Sequence, residues 1–236
     1  MIKIDGLKKK YKDFELDISM DIKEGTVTGL IGKNGAGKST AIKAILGLIH
    51  PDAGSIKVMG DVPGKNMENI GAAFSDSGMS MLYNINDISR IMHAMYDEFE
   101  EDKFKELCQK MELPFDKLLK DFSSGMKAKL KVLLTISHKA KLLVLDEPTT
   151  GLDVLARNEV MDMLRQYLEE DATRSILISS HISTDLEGLC DDIYMIDKGK
   201  IILHEDTDVL LGQYGVLKMS EKEFEELDTQ YVTVSR

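Results

Sequence analysis

The stretch "GKNGAGKST", residues 32–40, carries the strongest chemical signal in the chain. Gly32, Gly37, Lys38 and Ser39 fit the pattern G-x-x-x-x-G-K-[ST]. Glycines let the backbone turn tightly, so that successive N–H groups and the start of the predicted helix point at phosphate oxygens. Lys38 would supply a charge to the β- and γ-phosphates, and the Ser39 hydroxyl would ligate Mg²⁺. A Gly-rich turn with no ligand is the alternative, and this pattern arises by chance in roughly one chain in a hundred.

A pair of carboxylates follows the continuous apolar strand predicted for "LLVLDEP". A buried parallel strand places its last residues at the carboxyl edge of the sheet, where α/β proteins bind ligands. Asp146 would hold Mg²⁺, directly or through water, and Glu147 would orient or deprotonate an attacking water. Taken alone, the motif is equally compatible with a strand that ends in solvated acids before a proline turn.

Two further motifs have a structural and a chemical interpretation. "FSSGMKAKL", residues 122–130, is a normal helix start, with Ser123 before a Lys-rich amphipathic segment. His181 ends the apolar strand "SILISSH", where an imidazole could bridge a phosphate and an attacking water. A lone histidine is more often structural, so both interpretations stay open at this point.

The pattern of elements predicts how these residues are positioned. Short alternating strands open the chain, and a helix follows the phosphate loop until His50 and Pro51 end it. The stretch from about 87 to 120 is helical and charged, and another helix runs from 154 to about 169. Strand signals flank that last helix and return near the end. Strands that alternate with helices predict a parallel sheet covered on both faces, with the all-helical stretch as a second lobe.

Composition narrows the class of protein. The 236 residues are 43% hydrophobic and 30% charged, which is typical of a globular chain. We expect no membrane span and no secretory leader, and the two cysteines match no metal or redox spacing. The formal net charge of −11 argues against nucleic-acid binding. It still allows a small phosphate ligand, because backbone N–H groups can bind one.

In their order along the chain, the motifs resemble those of the nucleotide-binding subunits of ABC transporters, from about residue 2 to 210. The phosphate loop resembles the family's Walker A motif and "LLVLDEP" its Walker B motif, while "TTGLD" is similar to the D-loop and "SSHI" to the switch-histidine segment. "FSSGM" lies where the family has its signature, usually Leu-Ser-Gly-Gly-Gln. Ser123 and Gly125 match that motif, whereas Ser124 replaces a glycine and Met126 replaces the glutamine.

The resemblance implies the fold class and the domains. It predicts an α/β P-loop NTPase core with a mainly parallel sheet, an N-terminal antiparallel β subdomain and an inserted α-helical subdomain. Residues 1–84 and 141–205 would form the core with its antiparallel part, and residues 85–140 the helical subdomain that ends in the signature. Residues 206–236 would be a C-terminal appendage.

The resemblance also implies that two subunits pack head to tail around ATP and Mg²⁺. Ser123, Ser124 and Gly125 would then face ATP bound by the other subunit, Asp153 would help form the dimer contact, and Tyr11 would stack on adenine. Asp153 could instead simply cap the next helix, and Tyr11 could be a packing residue. The predicted catalytic residues are Lys38, Glu147 and His181. The predicted nucleotide-binding loop residues are Gly32, Asn34, Gly35, Ala36, Gly37, Lys38, Ser39 and Thr40.

The sequence departs from the family at the Q-loop, where a glutamine or an acid normally contacts Mg²⁺. "IGAAFSDSGM" has Ser75 at that position and Asp76 next to it. Since a carboxylate is a good Mg²⁺ ligand, Asp76 is the candidate replacement, beside Ser39 and Asp146.

The resulting interpretation is a cytoplasmic ATPase subunit, peripheral on the inner face of the membrane, that powers a separate integral membrane permease. "SSGMK" and "TTGLD" resemble the exporters of drugs, peptides or lantibiotics. The partners would be the permease and a second ABC subunit, identical or not, with no nucleic acid. Two alternatives are a soluble ABC ATPase that acts without a membrane protein and an interaction module that does not hydrolyse ATP.

Overall fold

The computed structural model describes residues 1–74 and 79–213. Their strands form one curled sheet of nine, in the order β4-β1-β2-β9-β8-β3-β7-β6-β5. The strands are β1 Ile2–Lys10, β2 Glu15–Ile22, β3 Val27–Ile31, β4 Ala53–Val58, β5 Ile70–Ala73, β6 Leu142–Asp146, β7 Ser175–Ser180, β8 Asp192–Asp197 and β9 Lys200–Asp206. The helices are α1 Lys38–Ile45, α2 Ile85–Met95, α3 Glu101–Lys110, α4 Ser124–Ile136, α5 Val154–Glu169 and α6 Thr207–Gln213.

The sheet has an antiparallel and a parallel part. β1 pairs antiparallel with both β2 and β4, whereas β8, β3, β7, β6 and β5 pair parallel in that order. β9 joins the two parts through an antiparallel pairing with β8 and a short parallel one with β2. The predicted fold class, with a mainly parallel core and an N-terminal antiparallel part, is confirmed.

Strand β6 shows why the sheet is covered on both faces. Its residues Leu142 and Val144 pack in one hydrophobic core with α1 and the antiparallel strands. Leu143 and Leu145 point to the opposite core, which contains residues of α2 to α5. All four side chains are fully buried, so the apolar run that predicted this strand reflects two cores rather than one alternating face.

Helix α1 is shorter than the sequence predicts. It ends at Ile45 rather than at His50, because Gly47 adopts a left-handed backbone conformation with φ of 72°. The N–H groups of Gly47 and Leu48 donate to the carbonyls of Ala44 and Lys43, as in a Schellman motif. The later apolar residues continued the helical spacing, which hid this end.

The predicted helical stretch from 87 to 120 is also interrupted. Between α2 and α3 the chain turns so that the rings of Phe99 and Phe104 pack with centroids 5.4 Å apart. α3 then ends in a second Schellman motif, in which Glu112 has the positive φ of 55° and Leu113 donates to the Cys108 carbonyl. Because glutamate rarely takes that conformation, no residue type signals the helix end at this position. Helix α5, by contrast, has the predicted bounds.

Each helix in residues 1–74 and 79–213 is too short or too polar to span a lipid bilayer.

The boundaries between core, helical subdomain and appendage stay a prediction. The residues after 213 lie outside the described part of the chain.

Candidate functional site

The phosphate loop connects the end of β3 to the start of α1, as the sequence predicts. Gly37 is the residue before the helix and has a φ of 115°, which disfavours any side chain. A Cβ atom at Gly37 would also lie 2.9 Å from Leu16 Cδ1 and 3.0 Å from Phe14 Cζ. Glycine is therefore favoured at this position by its backbone conformation, and any larger residue would also displace the Leu16 or Phe14 side chain.

Lys38 is almost fully buried, with 4% of its surface exposed. Its ammonium donates to the carbonyls of Gly32 at 2.6 Å and Lys33 at 3.2 Å. Its Nζ also lies 3.0 Å from Glu147 Oε1. The loop and the carboxylate pair, more than a hundred residues apart in the sequence, thus meet at one ammonium group.

The carboxylate pair is held by the neighbouring strand. Asp146 pairs with Ser179 of β7 in register, and the Ser179 hydroxyl donates to Asp146 Oδ1 at 2.7 Å. The same hydroxyl accepts from the Glu147 N–H at 3.0 Å. The Ser179 hydroxyl therefore holds both the carboxylate of Asp146 and the backbone N–H of Glu147.

The carboxylate of Glu147 has three side-chain partners in the site. Besides Lys38 on Oε1, its Oε2 accepts from the Thr150 hydroxyl at 2.7 Å and from His181 Nδ1 at 2.9 Å. Burial acts to raise the pKa of this carboxyl group, but the hydrogen bonds of Thr150, Lys38 and His181 outweigh burial and lower it. Glu147 is therefore an ionised carboxylate at neutral pH. Its φ of 51° is left-handed, which is rare for glutamate and frequent at functional sites.

A cleft of about 190 Å³ lies over the phosphate loop and contains most of the predicted contacts. Phe14 forms part of its wall, whereas Tyr11, 45% exposed, is not among the described wall residues. The rings of Tyr11 and Phe14 lie 6.3 Å apart between centroids. Ala36 is buried outside the wall. The wall consists of Phe14, Asn34, Gly35, Gly37, Lys38, Ser39, Thr40 and Glu147.

The predicted signature forms the first turn of α4. Ser123 is its N-cap, and the Ser123 hydroxyl accepts from the Met126 N–H at 3.2 Å. Ser123 and Ser124 are exposed. A Cβ atom at Gly125 would lie 3.2 Å from Ala156 Cβ, so glycine lets α4 approach α5 closely. Among the described residues, none of these three lines the cleft of the same molecule.

Asp153 and Asp76 complete the predicted set. Asp153 is the N-cap of α5, where its side chain accepts from the Ala156 N–H at 2.8 Å. Asp153 therefore caps α5, and its role in a dimer contact stays a prediction. Asp76, like Ser75, lies outside the described residues.

Three residues of the site were missed by the sequence reasoning. Thr150 and Ser179 bond Glu147 and Asp146, and Phe14 lines the cleft. Thr150 lies inside the recognised "TTGLD" segment, and Ser179 lies two residues before His181, so proximity to recognised motifs was the available signal. Nothing in the sequence shows which of the two nearby rings, Tyr11 or Phe14, reaches the phosphate loop.

Comparison with known proteins defines the class that this fold and site represent. The family model described as "ABC transporter" matches residues 16–150, so the chain belongs to the ABC transporter family, and within it to the ATP-binding, ATP-hydrolysing subunits. The alternative of an interaction module that does not hydrolyse ATP is therefore wrong.

Two relatives and one solved structure show which members of the family the chain is similar to. The chain is 36% identical over 213 residues to the lantibiotic transport ATP-binding protein SrtF of Streptococcus pyogenes, covering 88% of this chain and 92% of that protein. It is 33% identical to the linearmycin resistance ATP-binding protein LnrL of Bacillus subtilis, over 86% of this chain and 68% of LnrL. A solved structure of the ATP binding subunit of an ABC transporter superposes with a TM-score of 0.78 at 25% identity, over 96% of this chain and 98% of that one.

Proposed function

We propose that this ABC ATPase powers export of a drug, peptide or lantibiotic-like substrate through a separate membrane permease. The observation that carries the proposal is the arrangement at Glu147, whose carboxylate lies 3.0 Å from Lys38 of the phosphate loop and 2.9 Å from His181. A base, a phosphate-binding cation and an imidazole therefore lie at one end of the nucleotide cleft. The names of SrtF and LnrL favour a lantibiotic or a drug as the substrate class.

The site's own residues supply the chemistry of hydrolysis. With ATP in the cleft, the backbone N–H groups of the loop and Lys38 hold the β- and γ-phosphates. Glu147 orients a water and accepts its proton as the water oxygen bonds to the γ-phosphorus. The bond from that phosphorus to the β,γ-bridging oxygen breaks, and its electron pair stays on ADP. His181 donates to the γ-phosphate and keeps the water in line.

Mg²⁺ fits the donors that the site presents. Ser39 lies in the cleft wall, and the buried Asp146 directly precedes Glu147 in the chain, so a hydroxyl and a carboxylate oxygen would hold the ion together with phosphate oxygens and water. Among the described residues there is no group of three or more acidic, histidine or cysteine side chains that could bind a metal ion alone. This suits Mg²⁺, which usually binds through few carboxylates and the substrate's phosphates. Bound there, it would neutralise charge that develops on the phosphates.

A second cassette completes the site in this proposal. Ser123 and Ser124 are exposed at the N-terminus of a 13-residue helix, which favours an anion, yet they do not line the cleft of their own molecule. Two molecules packed head to tail would bring each signature to the other's γ-phosphate. Asp153 and the exposed pair Val154 and Leu155, each 71% exposed, follow on the adjacent helix α5 and would be covered by the same contact.

A permease would dock on the segment from Met81 to Met95. Leu82 and Met95 are 67% and 66% exposed there, beside other exposed apolar side chains. The backbone of this segment is tied to the residues before the signature, because Leu119 N–H donates to the Tyr83 carbonyl at 2.8 Å. Movement of a docked permease would therefore be transmitted to α4. The protein would be cytoplasmic and bound at the inner face of the membrane.

The test of this function is Glu147→Gln. The amide cannot accept the proton from water, so hydrolysis should stop while ATP still binds, and the ATP-bound dimer should accumulate. Gel filtration with ATP and Mg²⁺ should show a dimer for this variant and a monomer without nucleotide. The Lys38→Ala variant lacks the ammonium group that contacts the phosphates, and it serves as the reference for impaired nucleotide binding.

The double variant Glu147→Gln/Ser123→Arg serves as the matched control. The bulky cation at the signature should prevent the dimer, whereas the affinity of the monomer for a fluorescent ATP analogue should stay within about threefold of the parent, because Ser123 lies outside the cleft. A Glu147→Gln chain that elutes only as a monomer with ATP and Mg²⁺, or a Ser123→Arg chain that loses monomer binding, would contradict the head-to-tail arrangement.

A further inference from the structure

The hydroxyl of Thr150 contacts the carboxylate of Glu147, three residues earlier in the chain. The backbone turns back on itself after β6, with the Thr150 N–H donating to the Glu147 carbonyl at 3.3 Å. In this turn the Thr150 hydroxyl reaches the Glu147 side chain and donates to Oε2 at 2.7 Å. A hydrogen bond to an ionised carboxylate is shorter and about twice as strong as a neutral one.

The three partners of Glu147 differ in what else they must bind. Lys38 and His181 are both assigned to phosphates in the proposed function, so each has to share or give up its contact with the carboxylate when ATP enters. Thr150 has no such second task. Its hydroxyl hydrogen can stay on Oε2 through the reaction.

The two carboxylate oxygens are therefore not equivalent. Oε2 accepts from Thr150 and His181, whereas Oε1 faces Lys38 at the phosphate loop. Once Lys38 engages the phosphates, Oε1 is the oxygen directed at the cleft and at an attacking water. Holding Oε2 thus determines where Oε1 points.

We propose that Thr150 is a positioning residue for hydrolysis, which holds Glu147 Oε2 so that Oε1 is presented to the attacking water. The inference rests on the proposed role of Glu147 as the base. Thr150 acts through its hydrogen bond to Glu147 and is not among the described residues that line the cleft. A misplacement of about 1 Å in a reacting group can cost about a hundredfold in rate, which sets the scale of the effect.

Single-turnover hydrolysis of radiolabelled ATP by an excess of the full chain tests the proposal. Thr150→Val keeps the shape of the side chain and removes the hydroxyl, so the rate constant should fall about 10- to 100-fold. The affinity for a fluorescent ATP analogue should stay within about twofold, because Thr150 does not line the cleft. Thr150→Ser restores the hydroxyl and should recover the rate to within about threefold.

Two controls separate this role from a structural one. Thr173→Val removes another exposed hydroxyl that donates to a carboxylate, that of Asp171 at 2.8 Å, and should leave the rate unchanged. In a Glu147→Gln background, Thr150→Val should lower the residual rate by less than about twofold, because the group it positions is no longer a base.

The outcomes distinguish the inference from the function on which it rests. If Glu147→Gln hydrolyses ATP at the wild-type rate, the proposed function fails. If Glu147→Gln is slow but Thr150→Val matches the wild type, only the role of Thr150 is refuted. A Thr150→Val rate that Thr150→Ser does not rescue, or an equal loss in both backgrounds, would also overturn it.

Discussion

At the scale of the single residue, Glu147 shows how much of a site the tertiary structure adds to a motif. The sequence predicts an acid at the end of a buried strand, but not that three other side chains meet on its carboxylate. Those contacts come from the phosphate loop, the following turn and the end of β7. Such contacts depend on the register between strands, which local pattern does not encode.

His138 is a second residue whose state depends on the folded structure. It is 5% exposed, its two ring nitrogens lie 3.3 Å and 3.4 Å from the carbonyls of Leu134 and Ile70, and its ring stacks on Tyr96. Burial lowers the pKa of His138, although the two carbonyl contacts act to raise it. The folded protein therefore favours the neutral imidazole.

This pKa shift predicts a pH-dependent loss of stability. The unfolded chain binds a proton at His138 as the pH falls below about 6.5, whereas the folded chain does so only at lower pH. As the pH falls from the unfolded-state pKa to the folded-state pKa, His138 therefore lowers the free energy of unfolding progressively. At higher pH it has no such effect. Urea unfolding at pH 7.5 and 5.5 should show a smaller pH-dependent loss for His138→Gln than for the wild type.

The size of that difference should be about 1.4 kcal/mol for each unit by which the pKa is lowered within the window. The same pH-dependent loss of stability in His138→Gln and the wild type would refute the lowered pKa of His138.

At the scale of the element, the starts of α4 and α5 lie side by side. Ser123 caps α4, Asp153 caps α5, and Gly125 lets the two helices meet at Ala156. Each motif residue thus has a local structural task as well as the proposed role toward a second subunit. The effect of removing a helix cap must therefore be measured separately from the effect of removing a charge.

Asp153 allows that separation. Asp153→Ala removes the cap acceptor for the Ala156 N–H and should lower the free energy of unfolding by about 1 kcal/mol. Asp153→Asn keeps a side-chain oxygen at the cap, so its stability in urea should remain near the wild-type value. In the Glu147→Gln background, gel filtration with ATP should still show less dimer for Asp153→Asn if the charge contacts the partner.

The result for Asp153→Asn decides which task matters. An unchanged dimer together with normal stability would limit Asp153 to helix capping. A loss of stability equal to that of Asp153→Ala would show that the cap itself requires the carboxylate.

At the scale of the whole molecule, the net charge of −11 and the phosphate site are compatible because the loop binds anions mainly through backbone N–H groups. The exposed apolar side chains, by contrast, contribute little to the packing of the chain itself. The segment 81–95 is the part of this surface that is tied by backbone hydrogen bonds to the residues before the signature. We therefore expect a change at this segment to affect α4.

Leu82→Asp tests that connection. The side chain is 67% exposed, so the fold should tolerate the change, but a charge at an apolar contact costs more than about 1 kcal/mol when buried. Co-purification with the permease and the stimulation of ATP hydrolysis by it should each fall at least about fivefold, with ATP binding unchanged. Leu48→Asp is the matched control, because Leu48 is 60% exposed after α1, and it should leave both measurements intact. Equal effects of the two substitutions would remove the segment as the docking site.

The phosphate loop, the carboxylate pair and the alternation of strands and helices could be predicted from the sequence alone, because they depend on short continuous patterns. The complete fold class was predicted from the resemblance to the family. Fixed glycine spacing and an apolar run before two acids are readable without knowing which strands are neighbours. The ends of α1 and α3 were predicted wrongly, since Schellman turns at Gly47 and Glu112 interrupt spacing that still looks helical.

Which side chains share the site, by contrast, depends on tertiary contacts. The parallel order of β3, β7 and β6 brings Lys38, His181 and Glu147 together from three distant segments. The turn after β6 adds Thr150, and Phe14, which directly precedes β2, lines the cleft. The contacts between strands are long-range, set by strand order and by packing of both faces of the sheet, and no local pattern in the chain contains them.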